Sequence, residues 1–381
     1  MEASHLFSPL GVGKCTLQHR VVMAPMTRRR ALDGFVPNDL MRQYYEQRAS
    51  TPGTLLITEA TAVSPRSASL PHTPGLWTAE QIEGWKQVTS AVHARGSFIY
   101  VQVWMCGRAA RPGAVKRGAE VISPSDVSIG EGHPQPRQLS EDEIQQCIEE
   151  FRQGAINAIE AGFDGVELHG ANGYIIDQFT QDVSNHRDDK WGGSTENRAR
   201  FGFEVAKAVA NAIGSDRVAY RVSPWSRHHG MRMEDPIPQF TYLVKELRKL
   251  QLSYLHIVEA RVQGNADTTG TESIDFLIDA WDNISPVVVA GGYNSNTARE
   301  VVDENHAKGR DVLVAFGRPF VSNPDLPLRI KDYLPIAKHN RELFYEVLKP
   351  EGYIDYSFYS VQAPHPALDR DIRREGIAVA A

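Results

Sequence analysis

Cysteine is scarce in this chain of 381 residues: Cys15, Cys106 and Cys147 are the only three. They are too few and too far apart for a disulfide framework or a thiolate metal site, and they predict a reducing compartment. Cys106, at the end of a strand-like run, is expected to be a small buried filler. Cationic excess is also missing. The net charge is −6, and no basic stripe with interleaved aromatics is present, which argues against nucleic acid as a partner. Arg28-Arg29-Arg30 is the one sharp cationic cluster and reads as a solvated loop. No apolar run approaches the ~20 residues needed to cross a bilayer. The start, Met1-Glu2-Ala3-Ser4-His5, lacks the basic head and apolar core of a secretory signal, so a cytoplasmic protein with no membrane partner is expected. No acidic cluster resembles a metal site, which disfavours a metal-dependent aldolase or hydrolase. No low-complexity linker divides the chain.

What is present is a repeated alternation. Eight short apolar runs rich in β-branched residues recur: 21–24, 55–59, 98–104, 165–169, 218–223, 254–259, 286–291 and 311–317. They are continuous rather than alternating, as strands buried on both faces are. Helical spacing fills 77–95, 140–161, 194–213, 237–250, 272–281, 295–305 and 324–333, and Ser140 with Glu143 has capping-box register. Strand–helix repetition implies a parallel sheet, and eight repeats predict an α/β fold closed as a single-domain (β/α)₈ TIM barrel over 1–361. Residues 1–18 are expected to cover the barrel floor. Residues 106–139 are expected to make a surface excursion, 261–273 a flexible loop over the mouth, and 362–381 a poorly ordered tail.

The stretch Gly165–Phe179 organises the chemistry. A short apolar run passes into chain bearing three hydrogen-bonding side chains in six positions, His169, Asn172 and Tyr174. A core strand and a capped helix would account for His169 alone, but less well for three donors at a strand end. Parallel α/β proteins place their chemistry at such carboxyl ends. The other strands end in the same manner: Pro25-Met26-Thr27, Glu59-Ala60, Gln102 with Trp104, Arg221 with Ser223, Ala290-Gly291-Gly292, and Gly317-Arg318. Gly-rich turns on the last two strands expose backbone N–H groups as an anion cradle, and Arg318 adds the charge. Gln102 carries both a donor and an acceptor, which suits a heterocycle edge. Arg221 within an apolar strand must meet a carboxylate, a phosphate or an electron-rich ring.

These motifs resemble the old yellow enzyme family of flavin-dependent ene-reductases, particularly its fungal members. The resemblance runs from about Leu6 to Tyr359. It is carried by Met23-Ala24-Pro25-Met26-Thr27-Arg28, Leu56-Ile57-Thr58-Glu59, His169-Gly170-Ala171-Asn172-Gly173-Tyr174, Asp189-Lys190-Trp191-Gly192-Gly193-Ser194-Thr195-Glu196-Asn197-Arg198, and Phe316-Gly317-Arg318-Pro319. It implies FMN at the barrel mouth and NADPH as reductant in the same pocket. Pro25, Met26, Thr27, Ala60 and Gln102 would line the ring, and Arg221 would face its N1–C2=O end. Gly291, Gly292, Gly317 and Arg318 would hold the phosphate, with Phe344 and Tyr345 near the dimethylbenzene end. His169 and Asn172 would bind the oxygen of an α,β-unsaturated carbonyl compound, with Trp104 and His228 as further pocket wall. Tyr174 would protonate the α-carbon after hydride reaches the β-carbon. The sequence departs from some relatives at Ala60, where they carry Gly, and at His228, where an aromatic wall is common.

The resemblance therefore implies an FMN-dependent ene-reductase acting on a small enone or enal, with a fungal natural-product pathway as its expected setting. Two other readings stand beside it. One is a biosynthetic isomerase of the same fold without net NADPH consumption. The other is a barrel that binds flavin only as a sensor. The sequence leaves monomer and homodimer equally open.

Overall fold

The computed structural model describes residues 4–115, 120–263 and 266–360. The expected C-terminal tail and Gly264 of the mouth loop lie outside these residues. Eight parallel strands follow one another around a ring: β1 (Val21–Met23), β2 (Leu55–Ile57), β3 (Phe98–Trp104), β4 (Gly165–Gly170), β5 (Val218–Val222), β6 (Tyr254–Val258), β7 (Val287–Ala290) and β8 (Val312–Phe316). Each pairs with the next, and β8 pairs back onto β1, so the sheet closes. The apolar runs form these strands, shorter by one or two residues at several ends and longer by one at the end of β4. The residues beyond each end turn outward to build the mouth.

Helices between the strands cover the outside: α1 (Asp39–Arg48), α2 (Ala79–His93), α3 (Glu141–Glu160), α4 (Thr195–Ile213), α5 (Ile237–Arg248), α6 (Asp275–Trp281), α7 (Ser295–Ala307) and α8 (Leu326–Lys331). In α3 the expected capping box is formed. The Glu143 N–H donates to Ser140 Oγ at 3.3 Å, and the Ser140 N–H donates to Glu143 Oε2 at 2.8 Å. Ile144, Cys147, Ile148, Phe151, Ala155 and Ala158 of α3 lie on one buried face, at the three-and-four spacing that packs a helix onto a sheet. Helix α1 has no counterpart among the expected helices. Its ten residues are polar apart from Leu40, Met41 and two tyrosines, so their period is hidden.

The floor is closed as expected. A hairpin of Leu10–Val12 and Cys15–Leu17 buries Val12, Cys15 and Leu17 against Val22, Leu55, Tyr100, Ala219, Tyr254 and Leu313, residues of the barrel interior. All three cysteines are buried, and burial pushes the Cys106 thiol up to about 11, which leaves it inert. Among the described residues no helix is long and apolar enough to cross a membrane.

Two expectations need correction. Arg28 and Arg30 are 1% and 0% exposed, so this is not a solvated loop. Arg28 donates to the carbonyls of Phe344 and Gly352, and Arg30 to those of Phe344, Leu343, Lys349 and Glu351. Both guanidiniums lie over the Tyr353 ring, itself stacked at 4.1 Å on Tyr44. They bind the last described segment to the barrel by saturating backbone carbonyls, which requires no carboxylate partner. The excursion after β3 is also less superficial than its composition suggested. Cys106–Ala110 and Val121–Ser125 are buried, and Ile122–Ser123 pairs in parallel with Arg137–Gln138.

Candidate active site

Strand register brings the polar residues together. His169 on β4 lies beside Arg221 on β5, and Arg221 beside His256 on β6. Gln102 on β3 pairs with Glu167, two residues before His169 and therefore on the same inward face. Glu167 is wholly buried and accepts from Gln102 Nε2 at 2.8 Å, Tyr254 OH at 3.0 Å and His256 Nδ1 at 2.8 Å. Burial pushes its carboxyl up. His256 and Arg221 outweigh that and hold it below the ordinary range, so it stays ionised. Because a carboxylate only accepts, it fixes the Gln102 amide with its NH2 toward Glu167 and its oxygen free for the pocket.

One step nearer the mouth, burial and the Arg221 charge hold His169 well below the usual histidine range, so it is neutral. Its Nδ1 is buried without a partner, as are Asn172 Oδ1, Arg221 Nε and Trp104 Nε1. Buried polar atoms left open at one place are costly unless a ligand meets them.

Asn172 and Tyr174 are set by the turn after β4. Asn172 has φ 57°, a left-handed conformation that asparagine tolerates, and its N–H donates to Ser223 Oγ at 2.8 Å. The Gly173 N–H donates to Asp177 Oδ2 at 2.8 Å, and Gln178 Nε2 donates to the Gly173 carbonyl at 2.7 Å. A Cβ at Gly173 would lie 2.7 Å from His229 Cβ, so the 228–231 loop rests directly on this turn. The Tyr174 ring is packed edge-on by Trp104 at 4.6 Å, His169 at 4.8 Å and His229 at 5.2 Å between centroids. Burial raises its phenol above the ordinary value, so the proton stays on oxygen at neutral pH. Ala60 packs in the same small cluster as Trp104 and Cys106.

Across the mouth, Pro25, Met26 and Thr27 are half-buried at the end of β1. The next two residues donate their backbone N–H groups to Glu59 Oε2, at 3.0 Å from Arg28 and 3.4 Å from Arg29. Burial pushes Glu59 up to about 7 against those two donors. Gly291 has no room for a side chain, since a Cβ would meet Glu259 Cβ at 2.7 Å; Gly292 has φ 70° and is exposed. Glu259 itself is held by Arg261 at 2.6 Å and by the Tyr293 hydroxyl. Gly317 and Arg318 open the short helix Arg318–Ser322, with Met26 Sδ 3.5 Å from where a Gly317 Cβ would stand. Phe344 is buried beneath Arg28, and Tyr345 is half exposed.

The expected residues therefore gather at one end of the barrel. His228 is stacked at 3.8 Å on His229, and it is His229 that touches Tyr174 and accepts the wall position nearest it. Sequence reading passed over Glu167, His256, Glu259 and His229. The first three interrupt or end apolar strands, a signal of the kind that marked Arg221. Among the described residues, no group of three or more His, Cys, Asp or Glu is placed to hold a metal ion. The donor set suits FMN instead. The free Gln102 oxygen, the Arg221 guanidinium and the exposed backbone of the Gly turns match, in turn, an N–H edge, an electron-rich carbonyl and a phosphate.

The comparisons with known proteins agree. The model of the NADH:flavin oxidoreductase / NADH oxidase family matches residues 5–336. The chain is 51% identical, over 93% of its length and 96% of the relative's, to a chanoclavine-I aldehyde reductase of Penicillium roqueforti. It is 48% identical, over 93% and 96%, to an NADP-dependent oxidoreductase of Aspergillus flavus. It is also 49% identical, over 94% and 96%, to a probable inactive reductase of Epichloe festucae var. lolii. Among solved structures, morphinone reductase superposes with a TM-score of 0.87 at 36% identity, covering 96% of this chain and 99% of that one. With this fold and these donors at the barrel mouth, the chain belongs to the NADH:flavin oxidoreductase family, the old yellow enzymes, and is an FMN-dependent NAD(P)H oxidoreductase.

Proposed function

We propose that the protein reduces the carbon–carbon double bond of an α,β-unsaturated aldehyde or ketone. The observation that carries this reading is the buried, unpartnered Nδ1 of neutral His169 and the buried, unpartnered amide oxygen of Asn172, whose NH2 is the donor, beside a protonated Tyr174. Gln102, Arg221, the β1 end and the Gly turns would hold FMN, whose chemistry would be to carry hydride from NADPH to the β-carbon. His169 and Asn172 donate to the carbonyl oxygen and stabilise the negative charge that grows on it as the β-carbon gains its hydrogen. One such donor contributes about 3 kcal/mol. Because His169 is neutral, it donates without losing a proton. Tyr174 then gives its phenolic proton to the α-carbon and is reprotonated from water.

Three of the similar fungal proteins are named aldehyde reductases, which makes an unsaturated aldehyde the first substrate to try. A buried, protonated Tyr174 favours net reduction over isomerisation. The test is direct: purified protein is yellow, oxidises NADPH faster when cyclohexenone or an enal is added, and yields a product two hydrogens heavier. A product of unchanged mass would overturn the reductase reading in favour of isomerisation.

A further inference from the structure

The turn that carries Asn172 and Tyr174 runs into a buried polar cluster on and just after the short helix Ile175–Thr180. Asp177, Gln178 and Gln181 are all 0% exposed. Polar side chains this deep are costly unless each atom finds a partner. Here each side-chain N and O of the three has one. The Gly173 N–H donates to Asp177 Oδ2 at 2.8 Å, and Gln181 Nε2 donates to Asp177 Oδ1 at 2.7 Å. The backbone N–H groups of Arg232 and Met233 donate to Gln181 Oε1 at 2.9 and 3.2 Å. Those groups only donate, so the Gln181 oxygen must face them and its NH2 must face Asp177. The result is an unbroken chain of hydrogen bonds from the catalytic turn to the 228–233 loop. Gln178 makes the matching link to the turn after β3. It accepts from the Arg108 N–H at 3.1 Å and donates to the carbonyls of Cys106 and Gly173 at 3.0 and 2.7 Å.

The 228–233 loop has a shape that its own sequence does not favour. His229, Gly230 and Arg232 have φ of 58°, 69° and 86°, and only one of them is glycine. Non-glycine residues persist in the left-handed region where their surroundings impose it. Three ties do so here. Gln181 holds Arg232 and Met233, and Arg108 donates to the carbonyls of His229 and Gly230 at 3.2 Å each. His229 Nδ1 donates to the Asn172 carbonyl at 2.9 Å. The Arg232 side chain passes the tie on to Glu272, at 2.7 Å in the loop after β6. What the loop delivers to the site is the His229 ring, edge-on to Tyr174 at 5.2 Å.

We propose that Gln181 is a positioning residue for the proton transfer: through Asp177 it ties the loop bearing His229 to the turn bearing Tyr174, and so fixes the direction of the phenol. The inference rests on Tyr174 as the proton donor. The Tyr174 ring is packed by Trp104, His169 and His229, one ring from each of three elements. Two of those walls stand on barrel strands; the third stands on a loop that keeps its shape only through the bonds above. With the Gln181 link cut, the His229 wall loosens, the phenol tilts, and its hydroxyl leaves the line to the α-carbon. A misplacement of about 1 Å at a reacting group costs on the order of 10²-fold in rate.

The experiment uses the FMN-loaded full chain. The flavin is reduced by light under nitrogen, so NADPH plays no part, and its reoxidation by cyclohexenone is followed by rapid mixing. Gln181→Met keeps the length of the side chain and removes both ends of the link. It is expected to reoxidise roughly 10- to 100-fold more slowly, with the FMN content and visible spectrum of the wild type. In a Tyr174→Phe background the same change is expected to cost less than about twofold, because the hydroxyl it positions is gone. A merely structural role would cost the same factor in both backgrounds. The double variant Asp177→Asn with Gln181→Glu rebuilds the chain: the new amide still accepts from Gly173 and donates to the new carboxylate, which still accepts from Arg232 and Met233. It is expected to return the rate to within about threefold of the wild type. The link is overturned by a Gln181→Met rate within about twofold of the wild type, by equal losses in the two backgrounds, or by a double variant no faster than Gln181→Met. Should Gln181→Met fail to hold FMN, the double variant decides alone: a near-wild-type rate supports the link, and a slow or unfolded protein overturns it. A Tyr174→Phe variant as fast as the wild type would instead sink the proton-donor reading itself.

Discussion

Replacing Glu167 with glutamine is the sharpest test of how the flavin edge is set. Three donors converge on this carboxylate: Gln102 Nε2 on one oxygen, Tyr254 OH and His256 Nδ1 on the other. A carboxamide can accept at only one of those places. If its oxygen serves Tyr254 and His256, its NH2 faces the NH2 of Gln102, and the Gln102 amide must flip. The pocket then meets an N–H where it had an acceptor, so the N–H edge of FMN loses a partner and gains a repulsion. Leaving such a group unsatisfied costs about 1–3 kcal/mol, or roughly 5- to 100-fold in the Kd for FMN. Stability falls as well, because buried Arg221 loses the carboxylate whose field it feels. The assay is quenching of FMN fluorescence by apoprotein, with chemical denaturation beside it. The double variant Glu167→Gln with Gln102→Glu restores the complement: the new amide donates to the new carboxylate, whose other oxygen faces the pocket. That variant is expected to recover most of the FMN affinity. A general structural role would not be rescued this way. The reasoning fails if Glu167→Gln binds FMN within about threefold of the wild type, or if the double variant binds no better than the single one.

Tyr174→Phe should slow the oxidative half-reaction by roughly 10²- to 10⁴-fold and leave flavin reduction by NADPH nearly unchanged; equal loss in both halves would remove the proton-donor role. His169→Ala with Asn172→Ala should weaken binding of para-substituted phenols, whose oxyanion imitates the enolate, and this is read from the long-wavelength absorbance of the complex. Because His169 is held well below its ordinary value, the wild-type oxidative half-reaction should show no histidine inflection between about pH 6 and 8. Asp177 gives a pH test of stability. Burial raises its carboxyl from 3.8 to about 7, so the folded state holds a proton that the unfolded chain releases near 3.8. Its contribution is whole below that value and is lost as pH rises toward 7, on the order of 4 kcal/mol. Asp177→Asn, which can still accept from Gly173, should flatten the fall in denaturation midpoint over that window; an unchanged slope would refute the assignment.

The barrel was legible because its strands are buried on both faces, and such strands are written as uninterrupted apolar runs. His169, Asn172 and Tyr174 were legible because donors crowd one strand end. Helix α1 was not, since Arg48 is buried by donating to the carbonyls of Phe320, Val321 and Tyr353. A buried arginine satisfied by backbone looks in sequence like an exposed one, and the same physics hid Arg28 and Arg30. The choice between His228 and His229 was beyond sequence for another reason. It depends on the left-handed backbone of His229 at φ 58° and on the grip of Arg108 from a distant loop. Glu167 and His256 were within reach. Each interrupts an apolar strand with a titratable group, and a strand buried on both faces accepts such a group only when a partner or ligand meets it.

That last point explains where the ligand must lie. The interior positions of β7, β8, β1 and β2 carry Val288, Ala290, Leu313, Ala315, Val22, Ala24, Leu55 and Ile57, all apolar. The interior of β3 to β6 carries Gln102, Glu167, His169, Arg221 and His256 beside Tyr100, Ala219 and Tyr254. A barrel selected for stability alone would fill both halves with aliphatic side chains. Confining the ionised and hydrogen-bonding groups to four adjacent strands makes one wall polar and leaves the other small and smooth. On the proposed function, a flat ring laid against such a mouth would turn its heteroatom edge to β3 to β5 and its hydrocarbon edge away from them. The phosphate would then fall to the Gly turns that follow β7 and β8. The division of the barrel into a polar and an apolar half would thus orient the cofactor before any single contact is made.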